Sequence, residues 1–280
     1  MGVATLIGML AGALLIPVES PLWLVVGPAA AMSVLGFVDD VRSLSARVRF
    51  ALQFVIGVLV GVGVATLFDL NWWTVPIVAV LFSAFVNMAN FMDGANGVSS
   101  LFGTVSGSAF AIVGIFTDRG WLFATGVLIA VAFLVFLPWN FLGAGMFLGD
   151  CGSYLLGASV GATSIAAIAS GVAWPAALAP MAIYATDTAT TIATRLVRRE
   201  RWWEAHRQHQ YQQLIDSGWS HIRAALWLAM FVALAAAGGM VALLDRPGAT
   251  LIAASAVAAV CVAYVLSGRL VVNTRRRIPA

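Results

Sequence analysis

Long apolar runs separated by short polar breaks dominate the chain, and this alternation predicts ten membrane-crossing helices. They fall at residues 2–17, 21–38, 50–68, 72–89, 97–116, 120–139, 153–170, 173–194, 222–244 and 249–268. Crossing the hydrocarbon core takes about 20 mostly apolar helical residues. Helices are the expected form because lipid offers no partner to an open backbone group. The pattern therefore predicts an all-α, polytopic transmembrane helical bundle, one domain over residues 1–280, with a long polar loop at 195–221.

Composition agrees with that class. The chain is 61% hydrophobic and 10% charged, with a mean hydropathy of +0.97, whereas soluble domains carry about 25% charged residues. All fifteen basic residues are arginine. If the N-terminus is inside, every arginine except Arg119 and Arg246 lies in an inner loop or in the C-terminal tail. That asymmetry predicts both termini in the cytoplasm. Cys151 and Cys261 stand far apart and outside any CxxC pair, which argues against a disulfide framework, a zinc site or redox chemistry. The start lacks a charged segment and a cleavage motif of the kind that marks a removable signal peptide. No nucleic-acid partner is expected.

With this topology the polar chemistry is one-sided. Glu19, Asp69, Asp118 and Asp245 fall in outer turns, while Asp39, Asp40, Asp93 and Asp150 all sit where a helix meets the inner face. Asp187 lies about two turns inside the eighth helix, and His206, His209 and His221 fall in the longest inner loop.

Four strings carry the candidate chemistry. In LGFVDDVRSLSARVRF (35–50), Asp39 and Asp40 either stop a helix, balanced by Arg42, or supply a base or a cation ligand. In NMANFMDGANGVSS (87–100), Asn87, Asn90 and Asp93 recur every three residues along one helix face. Such a row near a membrane is costly unless it faces protein or a wet cavity. A cluster that ties helices together is the plainer reading, but the row ends at a carboxylate beside the flexible Gly94 and Gly97. In PWNFLGAGMFLGDCGSYLLG (138–157), Pro138 is expected to end one helix, and Asp150, Gly152 and Ser153 to open the next, with Ser153 as a cap. Asp150 suits Mg²⁺ that keeps waters and phosphate oxygens as its other ligands. In HRQHQYQQL (206–214), His206, Arg207 and His209 suit a pyrophosphate better than zinc, which needs more ligands. The preceding RRERWW reads as an interfacial anchor, and His221 as a loop residue. Asp187, set among threonines, either is structural or lines the floor of an inner pocket.

In this order the four strings resemble the polyprenyl-phosphate N-acetylhexosamine-1-phosphate transferases, bacterial membrane enzymes related to the peptidoglycan translocase. LGFVDD is similar to the family's aspartate pair, NMANFMDGANG to its N-x-x-N-x-x-DG stretch and FLGDCGS to its GD-x-GS turn. AHRQHQYQQL followed by GWSH resembles the form found in members that initiate O-antigen synthesis. The resemblance runs from about residue 2 to 221. It implies that undecaprenyl phosphate attacks a UDP-N-acetylamino sugar with Mg²⁺ (or Mn²⁺) as cofactor, releasing UMP. It further implies a bacterial inner-membrane location with the site facing the cytoplasm, and it admits a homodimer.

Carried over by residue, the resemblance makes Asp150 the metal ligand and places Asp39 and Asp40 at the lipid phosphate. His206, Arg207 and His209 would contact the sugar or pyrophosphate. Asn90 and Asp93 would line the nucleotide site, with Asn87, Asn140 and Asp187 as further substrate-binding positions. The family usually has one more N-terminal helix and a Gly-rich basic loop ahead of residue 1. Asn96 stands where many members have aspartate, and Gly143 where many have proline. A transporter would need paired broken helices in two related halves, and no such repeat is visible. An intramembrane aspartyl protease would need glycine where Phe147 stands. A truncated, inactive homologue is the remaining alternative.

Overall fold

The computed structural model describes residues 1–17, 20–141, 146–201 and 207–276. It is all helical among those residues. The order is α1 (Gly2–Leu14), α2 (Ser20–Arg42), α3 (Ala46–Leu67), α4 (Thr74–Met92), α5 (Val98–Phe116), α6 (Gly120–Phe141) and α7 (Gly149–Ala169). There follow α8 (Trp174–Leu178), α9 (Ala182–Val197), α10 (Gln210–Asp216), α11 (His221–Met240) and α12 (Ala249–Arg276). Among the described residues, eight helices are long and apolar enough to cross a membrane: α2 to α7, α11 and α12.

The two remaining expected spans take shorter forms. The first is a 13-residue helix, followed by Pro17, which lacks a backbone N–H and disfavours a helical residue before it. The eighth is broken: α8 carries Pro175 in its first turn, and a 3₁₀ turn at Ala179–Met181 contains Pro180 before α9 begins. Hydropathy alone sees one apolar run there, because proline interrupts hydrogen bonds without lowering apolarity. Pro138 does not end its helix as expected. α6 continues to Phe141 with Pro138 inside it.

α7 is the central post. Ninety-four per cent of its apolar stretch is buried, against 17% of α12. Its sequence is rich in Gly, Ala and Ser, which lets neighbouring backbones come close in the absence of a hydrophobic drive between helices. Gly36 on α2 shows the tightness: a methyl group there would run into the backbone of Asp150 and Cys151. This contact fixes the end of α2 against the start of α7, and so fixes the site.

Candidate functional site

α2 stays helical through its two aspartates to Arg42, turns through Ser43 with φ 47°, and restarts as α3, capped by the Ser45 hydroxyl. The turn swings Arg49 back over the end of α2. Arg49 Nη1 then donates to Asp39 Oδ2 at 3.0 Å, the Leu44 amide donates to Oδ1 at 2.8 Å, and the Tyr154 hydroxyl donates to Oδ2 at 3.2 Å. Asp39 is therefore buried and fully engaged. Its balancing charge is Arg49, not Arg42 as expected, because helix geometry carries Arg42 away while the turn returns Arg49.

Asp40 faces the other way. Its Oδ1 accepts the Asp150 amide at 3.0 Å and its Oδ2 the Cys151 amide at 3.1 Å. Those amides open α7, which has no side-chain cap of its own at Leu148. A carboxylate from another helix thus satisfies the orphan donors and the positive end of the α7 dipole. Gly149 makes the approach possible: its φ is +71°, and a Cβ there would stand 2.8 Å from Asp40 Oδ2.

Asp150 completes the group. Asn90 Nδ2 donates to Asp150 Oδ1 at 2.8 Å and to the Ser153 hydroxyl at 3.0 Å, and Arg49 Nη1 lies 3.9 Å from Asp150 Oδ2. Arg49 therefore stands between Asp39 and Asp150. Ser153 is not the expected cap. It lies within α7, accepts from Asn90 and donates to the Asp150 carbonyl at 3.4 Å.

Asp93 caps the C-terminus of α4, where Ser99 Oγ donates to it at 2.6 Å. Burial lifts its carboxyl from 3.8 to about 6. The Ser99 hydrogen bond opposes the rise, and the charges of Asp150 and Asp40 add to it. α5 then begins at Gly97, whose φ of +86° is costly for any residue with a side chain. The Gly97 amide donates to Asn140 Oδ1, and Asn140 Nδ2 donates to the Met146 carbonyl at 2.9 Å.

The row of three polar residues on α4 divides by task. Asn87 turns away from the carboxylates, donating to Gln53 Oε1 on α3 at 2.6 Å and to the Ser83 carbonyl at 2.8 Å. Asn87 and Asn140 thus make helix-tying bonds, while Asn90 and Asp93 belong to the acidic group.

The polar loop docks through Asp187, which has no exposed surface. Its oxygens accept from Tyr264 Oη at 2.6 Å, from the Gln210 amide at 3.2 and 3.1 Å and from Thr191 Oγ1 at 3.2 Å, and they meet His209 Nδ1 at 3.2 Å. His209 in turn starts α10 in a capping box with Gln212. α10 closes over the turn after Asp93: a Cβ at Gly94 would lie 2.6 Å from Gln212 Nε2 and would strike the Tyr211 hydroxyl. The Asn96 amide donates to His221 Nδ1 at 3.4 Å, so His221 is the first residue of α11 and a prop for that turn, not a loop residue. Arg207 Nη2 lies 3.6 Å from Asp216 Oδ1 on the exposed side of α10. His206, the Trp202–Trp203 pair and Gly143 lie outside the described residues.

Asp39, Asp40, Asp93 and Asp150 are thus gathered at one end of the bundle with Asn90, Ser153 and the guanidinium of Arg49. Arg49, Ser99 and Tyr154 join the group without belonging to any pattern that the sequence makes visible. Their only sequence signal is proximity to acidic strings, since each pairing depends on a turn or on a helix 115 residues away. Among the described residues no three His, Cys, Asp or Glu side chains form a ready-made metal cage. That donor set fits a hard cation such as Mg²⁺, which takes one or two protein carboxylates and fills its shell with water and phosphate oxygens.

A bundle of membrane-crossing helices with an acidic centre at one end defines the class. The model of glycosyl transferase family 4 matches residues 22–168, more than half of the chain, and the chain belongs to that family. It is 26% identical over 241 residues to the Bacillus subtilis protein named "Probable undecaprenyl-phosphate N-acetylglucosaminyl 1-phosphate transferase". That match covers 80% of this chain and 67% of the relative. It is 30% identical over 251 residues to the decaprenyl-phosphate N-acetylglucosaminephosphotransferase of Mycolicibacterium smegmatis, covering 77% of this chain and 62% of the relative. A phospho-N-acetylmuramoyl-pentapeptide-transferase of Desulforudis audaxviator is 30% identical over 175 residues, 51% of this chain and 52% of that one. The matches therefore span between about half and two thirds of these relatives' lengths.

Proposed function

We propose that this protein transfers an N-acetylamino-sugar 1-phosphate from a UDP-sugar to undecaprenyl phosphate, releasing UMP and starting a lipid-linked cell-envelope polysaccharide such as O-antigen. A phosphate oxygen of the lipid attacks the β-phosphorus of the donor, the bond from that phosphorus to the bridging oxygen breaks, and UMP leaves with that oxygen. The observation that carries the reading is the convergence of Asp40, Asp93 and Asp150, with Arg49 between Asp150 and Asp39 and with Asn90 on Asp150.

Phosphoryl transfer asks a protein mainly to position phosphates and to neutralise their charge. Mg²⁺ (or Mn²⁺), when bound, would draw charge from the transferred phosphate. Asp150 is the residue to hold it, with Asn90 fixing the orientation of that carboxylate. Arg49, one third exposed, can swing from the carboxylates to a phosphate oxygen. Asp39 and Asp40 would sit at the lipid phosphate, the buried Asp39 acting there through the Arg49 guanidinium it holds, and Asp93 at the nucleotide. His206, Arg207 and His209 in the polar loop would grip sugar or pyrophosphate. Asp187 serves that loop by holding the His209–Gln210 backbone in place.

The same reading places the protein in a bacterial inner membrane with this end of the bundle toward the cytoplasm, where a soluble donor meets a bilayer acceptor. An apolar groove of about 430 Å³, lined by Leu81, Phe85, Leu178 and Val257 among others, is suited to an isoprenoid chain. The test incubates the purified protein with undecaprenyl phosphate, Mg²⁺ and a panel of UDP-sugars while following UMP. Release from at least one donor, abolished by EDTA and by Asp150→Ala in a protein that still inserts, is expected. No release from any donor overturns the reaction, and wild-type turnover in Asp150→Ala overturns the metal assignment.

A further inference from the structure

The acidic centre is not the only polar feature at this end of the bundle. Between the C-terminal parts of α9 and α12, beside α10, lies a cavity of about 480 Å³. Arg198, Arg207 and Arg269 line it together with Thr190, Thr194 and one carboxylate, Asp216. None of Asp39, Asp40, Asp93 and Asp150 belongs to its wall. Arg207 is matched by Asp216 at 3.6 Å. Among the described residues, neither Arg198 nor Arg269 pairs with a carboxylate. The hydroxyls of Thr190 and Thr194 donate to carbonyls of their own helix, and among the described residues of the wall three arginines face one carboxylate.

Beside this polar cavity the surface turns apolar: Val197 on α9 and Leu266, one turn before Arg269 on α12, are 85% and 54% exposed. A second recess of about 290 Å³, lined by Ala193 and Val197, shares Arg198 and Arg269 with the first. Two guanidinium groups thus sit where lipid-facing surface gives way to the polar end of the bundle. A soluble anion needs the arginines and has no use for the apolar flank. A phospholipid uses both, with its phosphate on the guanidinium donors and its acyl chains along Ala193, Val197 and Leu266. Basic pockets between membrane helices are suited to anionic headgroups for this reason.

We propose that the α9–α12 cavity binds the phosphodiester of an anionic membrane phospholipid through Arg198 and Arg269. None of the acidic centre's carboxylates lines this site, and its two lipid-binding arginines, Arg198 and Arg269, have no part in the transferase reading. The site does adjoin the loop anchor, since Gln210 and Thr191, both in its wall, hydrogen-bond to Asp187. An occupying headgroup therefore braces the junction of α9, α10 and α12.

The test is native mass spectrometry of the full chain in detergent, titrated with phosphatidylglycerol or with phosphatidylcholine of the same acyl chains. Wild type is expected to retain phosphatidylglycerol about tenfold better, as two arginines at a lipid phosphate allow. Arg198→Gln combined with Arg269→Gln is expected to lose that preference, and the paired Lys variants to keep most of it. Each single Gln variant serves as a backup should the double variant unfold. Equal retention of both lipids by wild type, or an unchanged preference in the Gln variants, overturns the proposal. Displacement of phosphatidylglycerol by excess inorganic phosphate overturns the lipid assignment. Loss in the Gln variants of undecaprenyl phosphate retention alone overturns it in favour of the acceptor.

Discussion

Asp40 accepts the backbone amide of Asp150, 110 residues away, at 3.0 Å, and the next amide at 3.1 Å. One carboxylate thus caps the helix that carries its neighbour in the acidic centre. Asp40→Ala removes both acceptors from two helix-opening amides. Charge-assisted hydrogen bonds contribute about 1.5–3 kcal/mol each when shielded, and water screens part of that here because Asp40 is exposed. A melting temperature well below wild type is expected in detergent. Asp40→Asn keeps one acceptor and is expected to melt between the two while losing UMP release. An alanine variant as stable as wild type excludes the capping role.

Arg49 offers a second check, because it stands between two carboxylates. Arg49→Gln leaves Asp39 buried without its cation, and removing one partner of such a pair costs more than removing both. Since Arg49 is one third exposed, water screens part of the loss, and about 2 kcal/mol is the expected scale. Adding Asp39→Asn to Arg49→Gln is expected to recover much of it. Additive losses in the double variant, read by chemical denaturation, remove the pairing from the account.

The helices and the one-sided gathering of carboxylates were legible in the sequence because both rest on patterns of period and spacing. Eight long apolar helices match eight of the runs, and the Asp40–Asp150 and Asn90–Asp150 contacts join strings already singled out. The break before α9 was hidden because Pro175 and Pro180 sit in an otherwise unbroken apolar run. Arg49 was hidden for another reason. Ten residues separate it from Asp39, and only the Ser43 turn, with its positive φ, folds that distance into an ion pair. Asn87 and Asn140 share residue type with Asn90, so composition cannot tell a helix tie from a site residue.

Asp93 gives a pH dependence with a definite sign. Burial first, and the charges of Asp150 and Asp40 after it, raise its carboxyl from 3.8 to about 6 despite the Ser99 hydrogen bond. The native state thus holds a proton that the unfolded chain releases earlier. The stabilisation from that proton is full below pH 3.8 and is lost as pH rises through about 6. Asp93→Asn keeps an oxygen for Ser99 and has no charge to bury. In Mg²⁺-free detergent it is expected to gain stability over wild type at pH 7.5, by up to about 3 kcal/mol, and to lose that gain near pH 4. A difference between the two proteins that stays flat from pH 4 to 8 places the titration elsewhere.

Asp187 separates a structural role from a chemical one. Its two oxygens join Thr191 on α9, His209 and the Gln210 amide at the start of α10, and Tyr264 on α12. Asp187→Ala therefore leaves several buried donors without an acceptor, at about 1–3 kcal/mol each. The local consequence is release of α10 from the α9–α12 wall. Hydrogen exchange across residues 209–216 is expected to rise by at least tenfold in Asp187→Ala, with a smaller rise in Asp187→Asn, which keeps one acceptor oxygen. Because the acidic centre shares no hydrogen bond with Asp187, exchange at the start of α7 is expected to stay unchanged. UMP release is expected to fall with loop protection across the two variants. If activity vanishes in Asp187→Asn while 209–216 stays protected as in wild type, Asp187 acts on substrate and not through the loop.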